Sequence, residues 1–197
     1  ATYTSGTTGN PKGVLLERGR IYEAAISYSY ENNFIIKAGD VFAYLSPQNF
    51  VAFFLSISGT MLQGAETAVV SYDIVRNNAK LENFFNDAKV NIVFLTPSLY
   101  RLLQKFNPEF RTLFLSSEPT RNIHRTDITI YNAFAQSEIG FIASIFKIDK
   151  TYELTPIGKN NENIKLLDDN GNEVKSGELG EICIRNEYFR GYINRPE

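Results

Sequence analysis

The sequence has one cysteine in 197 residues, Cys183, so no disulfide can close within the chain, and a reducing compartment suits it. Cys183 lies in an apolar strand pattern, which gives it a packing role. The single histidine, His124, sits in a charged loop with Arg121 and Arg125, outside every motif, and reads as a solvated surface residue. Without a His/Cys cluster, zinc spacing is absent. The serines lack the His and Asp partners of a hydrolytic triad. Acidic and basic residues nearly cancel, to a net charge of −2, and no basic stripe suggests nucleic acid. The longest apolar run, residues 50–57, is far shorter than the roughly 20 residues a spanning helix needs, so no membrane span is expected. No signal peptide is readable, and a cytoplasmic location is expected. The chain opens inside a motif, so its natural N-terminus is expected upstream.

What is present is ordinary for a globular protein: 43% apolar and 21% charged residues, enough for one good core or two small ones. The chain is organised around residues 2–14, TYTSGTTGNPKGV. Tyr3 reads as a strand end, and Gly6, Gly9, Gly13 and Pro11 then break both regular periods. Such a loop offers backbone N–H groups, hydroxyls and one cation, Lys12, to an anion with several acceptor oxygens. It is not a Walker A loop, because Gly13 rather than Ser or Thr follows the lysine.

Downstream, helices are expected over residues 15–30, 48–62, 78–88 and 97–106, and strands over 41–45, 67–71, 91–95, 111–115 and 128–131. This alternation predicts an α/β fold: a largely parallel sheet covered by helices on both faces. Ligands of such sheets sit at the carboxyl ends of the strands. After residue 150 the pattern changes to short antiparallel strands, with a hairpin signal at Asn170-Gly171. The expected organisation is an α/β unit over 1–150 and a β-rich, partial-barrel unit over 151–197.

Two further stretches follow strands. Residues 131–140, YNAFAQSEIG, carry a hydroxyl (Ser137), a carboxylate (Glu138) and a flat aromatic (Phe134). Residues 116–118 read Ser-Ser-Glu. Near the end, residues 176–197 read SGELGEICIRNEYFRGYINRPE.

These strings, in this order, resemble the signatures of the adenylate-forming (AMP-binding) superfamily, which includes acyl-CoA synthetases, luciferases and adenylation domains of nonribosomal peptide synthetases. Asn-Arg-Pro-Glu at 194–197 leans toward the last group. The resemblance implies ATP and Mg²⁺ as cofactors. It implies Thr4, Ser5, Gly6, Thr7, Thr8, Gly9 and Lys12 around the β- and γ-phosphates, with Thr8 and Lys12 catalytic. It implies Asn132 beside nucleotide and substrate, Phe134 on adenine, Ser137 near the α-phosphate and Glu138 on the metal. Ser116, Ser117 and Glu118 stand where the family has Gly-Gly-Glu. Ala135 replaces its Gly and Ser137 its Thr. The segment 176–197 is expected to be structural.

The activity so implied is activation of a small carboxylic acid to an acyl-adenylate and its transfer to the phosphopantetheine thiol of a carrier protein domain. Free CoA as acceptor and a non-catalytic nucleotide-binding module are the alternatives. The family's domains are longer, so the chain is expected to be a fragment, inactive alone. The implied acid pocket is Val51, Ala52, Leu55, Phe94, Leu113, Leu115, Ala133, Phe141 and Ile142. All are apolar. Val51 stands where amino-acid-activating relatives place an Asp, so an acid without an α-ammonium is expected.

Overall fold

The computed structural model describes residues 1–4, 11–20, 22–23, 26, 36–104, 110–159 and 162–194, and only the backbone of Leu55 and Phe141. Short runs of apolar residues, buried on both sides, build its centre. Phe42, Ala43, Ile92, Val93, Leu113, Phe114, Leu115 and Ile130 are each almost wholly buried. They lie on β3 (Val41–Tyr44), β5 (Ile92–Leu95), β6 (Thr112–Leu115) and β7 (Thr129–Gln136). With β4 (Glu66–Val69) and β8 (Phe141–Lys147) these form a six-stranded sheet in the order β4-β3-β5-β6-β7-β8. Every pairing is parallel except β7 with β8. Strands buried on both faces read as continuous apolar runs, which is why periodicity located them.

The pleat sends alternate residues to opposite faces. Val93, Leu95, Leu113 and Leu115 pack with Leu81 and Phe85 of α3 (Asn78–Asp87) and with Tyr100 and Leu103 of α4 (Pro97–Leu103). Ile92 and Phe114 pack with Phe42 and Ile36 on the other face, with Phe94 and Tyr131 against them. There the rings of Phe94 and Phe114 stack at 4.3 Å, and those of Phe114 and Tyr131 at 5.3 Å. Helix α1 (Val51–Gln63) packs against β3, β4 and β8. A short α2 (Tyr72–Val75) precedes α3. The fold is α/β, with a mostly parallel sheet, as expected.

Sequence punctuation sets the helix ends. Asn77 caps α3 by accepting from Lys80 N at 3.1 Å. Thr96 caps α4 by accepting from Leu99 N at 3.2 Å, with Pro97 in the first turn. Helix α1 ends on Gly64 at φ 67°, a left-handed conformation that suits glycine.

Two small antiparallel sheets complete the chain. β9 (Ile164–Leu167) pairs with β10 (Glu181–Ile184). The turn after β9 is tied by the Asp168 carboxylate, which accepts from the backbone N–H groups of Asn170 and Asn172. The other sheet has the order β1-β2-β11, from Thr2–Thr4, Lys12–Leu16 and Phe189–Tyr192.

This last sheet corrects the sequence reading. Lys12 and Gly13 belong to a strand, not to the loop, and residues 15 and 16 continue it where a helix was expected. Helical backbone starts only at residue 18. Pairing with β1 on one side and β11 on the other overrides the weak helical spacing. β7 is also longer than expected, so most of 131–140 is strand, and β8 was not foreseen.

Candidate nucleotide and acid site

The first motif is a hairpin whose described flanks face each other: Thr4 is paired with Lys12 across β1 and β2. Ser5, Gly6, Thr7, Thr8 and Gly9 lie outside the described residues. Tyr3 N donates to Asn49 O at 2.9 Å, and the Tyr44 hydroxyl donates to Pro47 O at 2.8 Å. The first bond holds the hairpin against the segment between β3 and α1, and the second ties that segment to β3. Burial pushes the Tyr44 phenol up to about 12. On the other side Ile193 N donates to Gly13 O at 2.7 Å. A Cβ on Gly13 would come within 2.8 Å of Ile193 Cδ1, so a larger residue here would force the Ile193 side chain to shift.

Glu138 reaches the same place from the central sheet. β7 runs into a 3-10 turn, Ser137–Ile139, closed by Gly140 at φ 66°. Asn186 Nδ2 donates to the Glu138 carbonyl at 2.6 Å and fixes the turn. The Tyr192 hydroxyl donates to Glu138 Oε1 at 2.9 Å. Lys12 Nζ lies 5.3 Å from the centroid of the Tyr192 ring. Burial, and then the bond to Glu138, raise the Tyr192 phenol above its usual range. Lys12 and Glu138, remote in sequence, therefore share one aromatic partner. Ser137 is buried at the start of the turn.

Among the described residues no group of three His, Cys, Asp or Glu could hold a metal ion. Glu138 is half-buried, and among the described residues its Oε2 takes no hydrogen bond. A lone carboxylate suits Mg²⁺, which keeps its waters and shares substrate phosphates rather than filling a protein cage. The donor set thus fits that ion.

A cavity of about 590 Å³ opens beside the second motif. Its walls are residues 117–120 after β6, residues 132–136 on β7, and residues 154–157. Asn132 ties these walls together. Its Oδ1 accepts from Thr120 Oγ1 at 2.9 Å, and its Nδ2 donates to Pro156 O at 2.9 Å. Both ends of that side chain are thus bonded to protein, and Asn132 supports the cavity rather than offering a free polar group. Phe134 is half-buried on the same wall. A register shift between Phe134 and Ala135 turns the strand there. Thr155 Oγ1, also in the lining, is buried without a hydrogen-bond partner.

Ser117 adopts φ 71°, where the resembled family has glycine. Ser116 N donates to Leu95 O at 3.2 Å. Glu118 turns back to the start of α4, accepting from Ser98 Oγ at 2.5 Å and Ser98 N at 3.1 Å. The Ser98 hydroxyl is the main cause holding the Glu118 carboxyl below its usual range.

The acid-pocket residues divide between the two faces. Val51, the first residue of α1, is buried, and Ala52 beside it is half-buried. The first turn of α1 holds no acidic residue. Phe94 is on the Phe114–Tyr131 face, and Ala133 is paired with Ile145, which packs there too. Ile142 is buried opposite Ala135. Leu113 and Leu115 point the other way, into the α3–α4 core. One residue along a strand reverses the face, and Phe114 is the β6 residue that shares a face with Phe94. The side chains of Leu55 and Phe141 lie outside what the structure describes.

Sequence reasoning missed Tyr192, Asn186 and Thr120. Arg-Gly-Tyr at 190–192 was visible, but nothing local showed that its tyrosine meets a carboxylate.

A family model described as AMP-binding enzyme matches residues 1–193. Gramicidin S synthase 2 of Brevibacillus brevis is 30% identical over 213 residues, covering 98% of this chain and 5% of that protein. Bacitracin synthase 1 of Bacillus licheniformis is 30% identical over 199 residues, covering 99% of this chain and 4% of that protein. The chain therefore spans only a small part of these relatives. Among solved structures, the Klebsiella oxytoca NpsA N-terminal subdomain in complex with 3-hydroxybenzoyl-AMSN superposes with a TM-score of 0.81 at 21% identity, over 99% of this chain and 53% of that one. Holo-PA1221, an NRPS protein containing adenylation and PCP domains, superposes with a TM-score of 0.83 at 22% identity, over 98% of this chain and 36% of that one.

Proposed function

Because the chain belongs to the AMP-binding enzyme family, we propose that it is the nucleotide- and acid-binding part of an adenylation domain. In the parent protein this domain activates a carboxylic acid with ATP and Mg²⁺. The carboxylate oxygen attacks the α-phosphorus, pyrophosphate leaves, and an acyl-adenylate results. The acyl group then passes to the phosphopantetheine thiol of a carrier protein domain. That acceptor is supported by the relatives, a gramicidin S synthase and a bacitracin synthase, and by a fold neighbour described as an NRPS protein containing adenylation and PCP domains.

The observation that carries the reading is the approach of Lys12 and Glu138, far apart in sequence, to one side chain, Tyr192. Lys12 supplies a point charge for a terminal phosphate. The motif residues Thr4, Ser5, Gly6, Thr7, Thr8 and Gly9 take the remaining phosphate oxygens, and Ser137 the α-phosphate. Glu138 holds the metal, which when bound neutralises phosphate charge. Phe134, Ser117 and Glu118 border the adenine cavity, with Ser116 next to them in sequence, and Asn132 ties its walls together. The chemistry asked of these groups is positioning and charge neutralisation.

The acid sits against Val51, Ala52, Phe94, Ala133 and Ile142 and has no charged α-amino group. A buried ammonium facing Val51 would lack a counter-charge, at a cost of several kcal/mol. Hydroxy, keto, aryl and fatty acids escape that cost.

ATP–pyrophosphate exchange by the full-length parent tests both levels. A branched 2-hydroxy or 2-keto acid, or an aryl acid, is expected to outrun leucine by about a hundredfold. Lys12→Ala is expected to reduce exchange about ten- to a hundredfold. Strong preference for leucine would overturn the acid class. Silence with every acid would overturn the activity.

A further inference from the structure

We infer that Tyr192 is a positioning residue of this site: its hydroxyl aims the Glu138 carboxylate and its ring seats the Lys12 ammonium, so one side chain sets both charges. The inference rests on the roles proposed above for Glu138 and Lys12.

The backbone delivers this tyrosine deliberately. β11 pairs with β2 at Phe189↔Leu16 and Tyr192↔Val14, and the register shifts between those two pairs. Gly191, immediately before Tyr192, has φ 87°, a left-handed conformation that glycine tolerates. A shift of this kind re-aims the side chain that follows it. The ring then packs edge-on against Phe189 at 5.4 Å. Packing alone would be served by phenylalanine. The hydroxyl instead gives its proton to Glu138 Oε1 at 2.9 Å.

That bond has a directional effect. It occupies one carboxylate oxygen and orients the plane of the group, while among the described residues Oε2 has no hydrogen-bond partner and is free to face a cation. The same ring face attracts the Lys12 ammonium at 5.3 Å, which keeps a flexible four-carbon side chain over the site. It also separates lysine from glutamate. Among the described residues these two form no ion pair, so the lysine charge is not consumed by the carboxylate.

The test uses the full-length parent and four variants, Tyr192→Phe, Tyr192→Leu, Glu138→Gln and the double variant Tyr192→Phe with Glu138→Gln. Three quantities are measured: the Mg²⁺ concentration for half-maximal exchange, calorimetric binding of ATP without metal, and Tm. Tyr192→Phe is expected to raise the Mg²⁺ requirement about tenfold, because a bond to a charged acceptor is lost, with Tm and metal-free ATP binding held. Tyr192→Leu is expected also to weaken metal-free ATP binding several-fold. Tyr192→Phe in the Glu138→Gln background is expected to add nothing. If Glu138→Gln raises the Mg²⁺ requirement and Tyr192→Phe does not, Tyr192 merely packs and the inference falls. If Glu138→Gln itself leaves the requirement unchanged, the metal role proposed for Glu138 falls, and the inference with it.

Discussion

Ser117 has φ 71°, is exposed, and carries the chain from the end of β6 into the cavity wall. An L-residue there costs about 1–2 kcal/mol relative to right-handed backbone. Glycine would remove that strain but add disorder to the unfolded chain. The balance predicts that Ser117→Gly stabilises the protein by about 0.5 kcal/mol, measurable as a higher urea midpoint at unchanged slope. A lower midpoint would mean that the serine hydroxyl has a partner worth more than the strain. The pair Ser116-Ser117 was conspicuous in the sequence because it stands in a place where glycines are expected. Which of the two carries the positive φ was not legible, because that depends on how β6 leaves the sheet.

Elements divide by what defines them. α3 and α4 were readable because their apolar spacing and their caps, Asn77 and Thr96-Pro97, are local. β5 and β6 were readable as apolar runs, and 116–118 follow the end of β6 as expected, whereas most of 131–140 lies within β7 rather than after it. β2, β8 and β11 were not readable, because each is a strand only by virtue of a partner, for β2 and β11 one more than 170 residues away. For the same reason the face taken by Leu113 and Leu115 was not legible: a sequence shows which residues alternate, but the pairing of Phe94, Phe114 and Tyr131 decides which face they take. Helix α1 lies between these cases. Its end at Gly64 was legible, and its start at Val51 carries the substrate argument. Val51→Asp puts a carboxylate in a first turn that has none. The helix N-terminus would favour that charge by about 0.3–1 kcal/mol, offsetting part of the cost of burying it. The variant is expected to be less stable by about 1–2 kcal/mol and to shift the exchange ratio of leucine to its hydroxy analogue at least tenfold toward leucine. An unchanged ratio in a folded variant would remove Val51 from the pocket.

At the scale of the molecule, the sheet is anchored at the end away from the site. Asp40 is buried just before β3. Its carboxylate accepts from Arg111 Nη2 at 2.5 Å, Asn91 Nδ2 at 3.2 Å and Lys37 N at 2.8 Å. Asn91 and Arg111 immediately precede β5 and β6, so three neighbouring strands begin at one charge. Removing Asp40 takes an acceptor from Asn91, Arg111 and Lys37 N at once and leaves a hole at the start of β3. Asp40→Ala is expected to lower unfolding free energy by about 3 kcal/mol while leaving ATP affinity per folded molecule unchanged. Equilibrium denaturation and calorimetry on the same preparation check both halves. A loss of affinity without a loss of stability would show that the two ends of the sheet are coupled.

The pairing of β2 with β11 also orders events in time. The central sheet is complete in sequence once residue 147 has emerged from the ribosome, but the hairpin gains its third strand only when residue 192 follows. At roughly 5–20 residues per second, on the order of ten seconds or more separate the synthesis of Lys12 from that of Tyr192. During that interval β2 has an open edge and its lysine has no ring to rest on. The nascent chain can therefore pack the central sheet before β2 gains its second neighbour and Lys12 its ring.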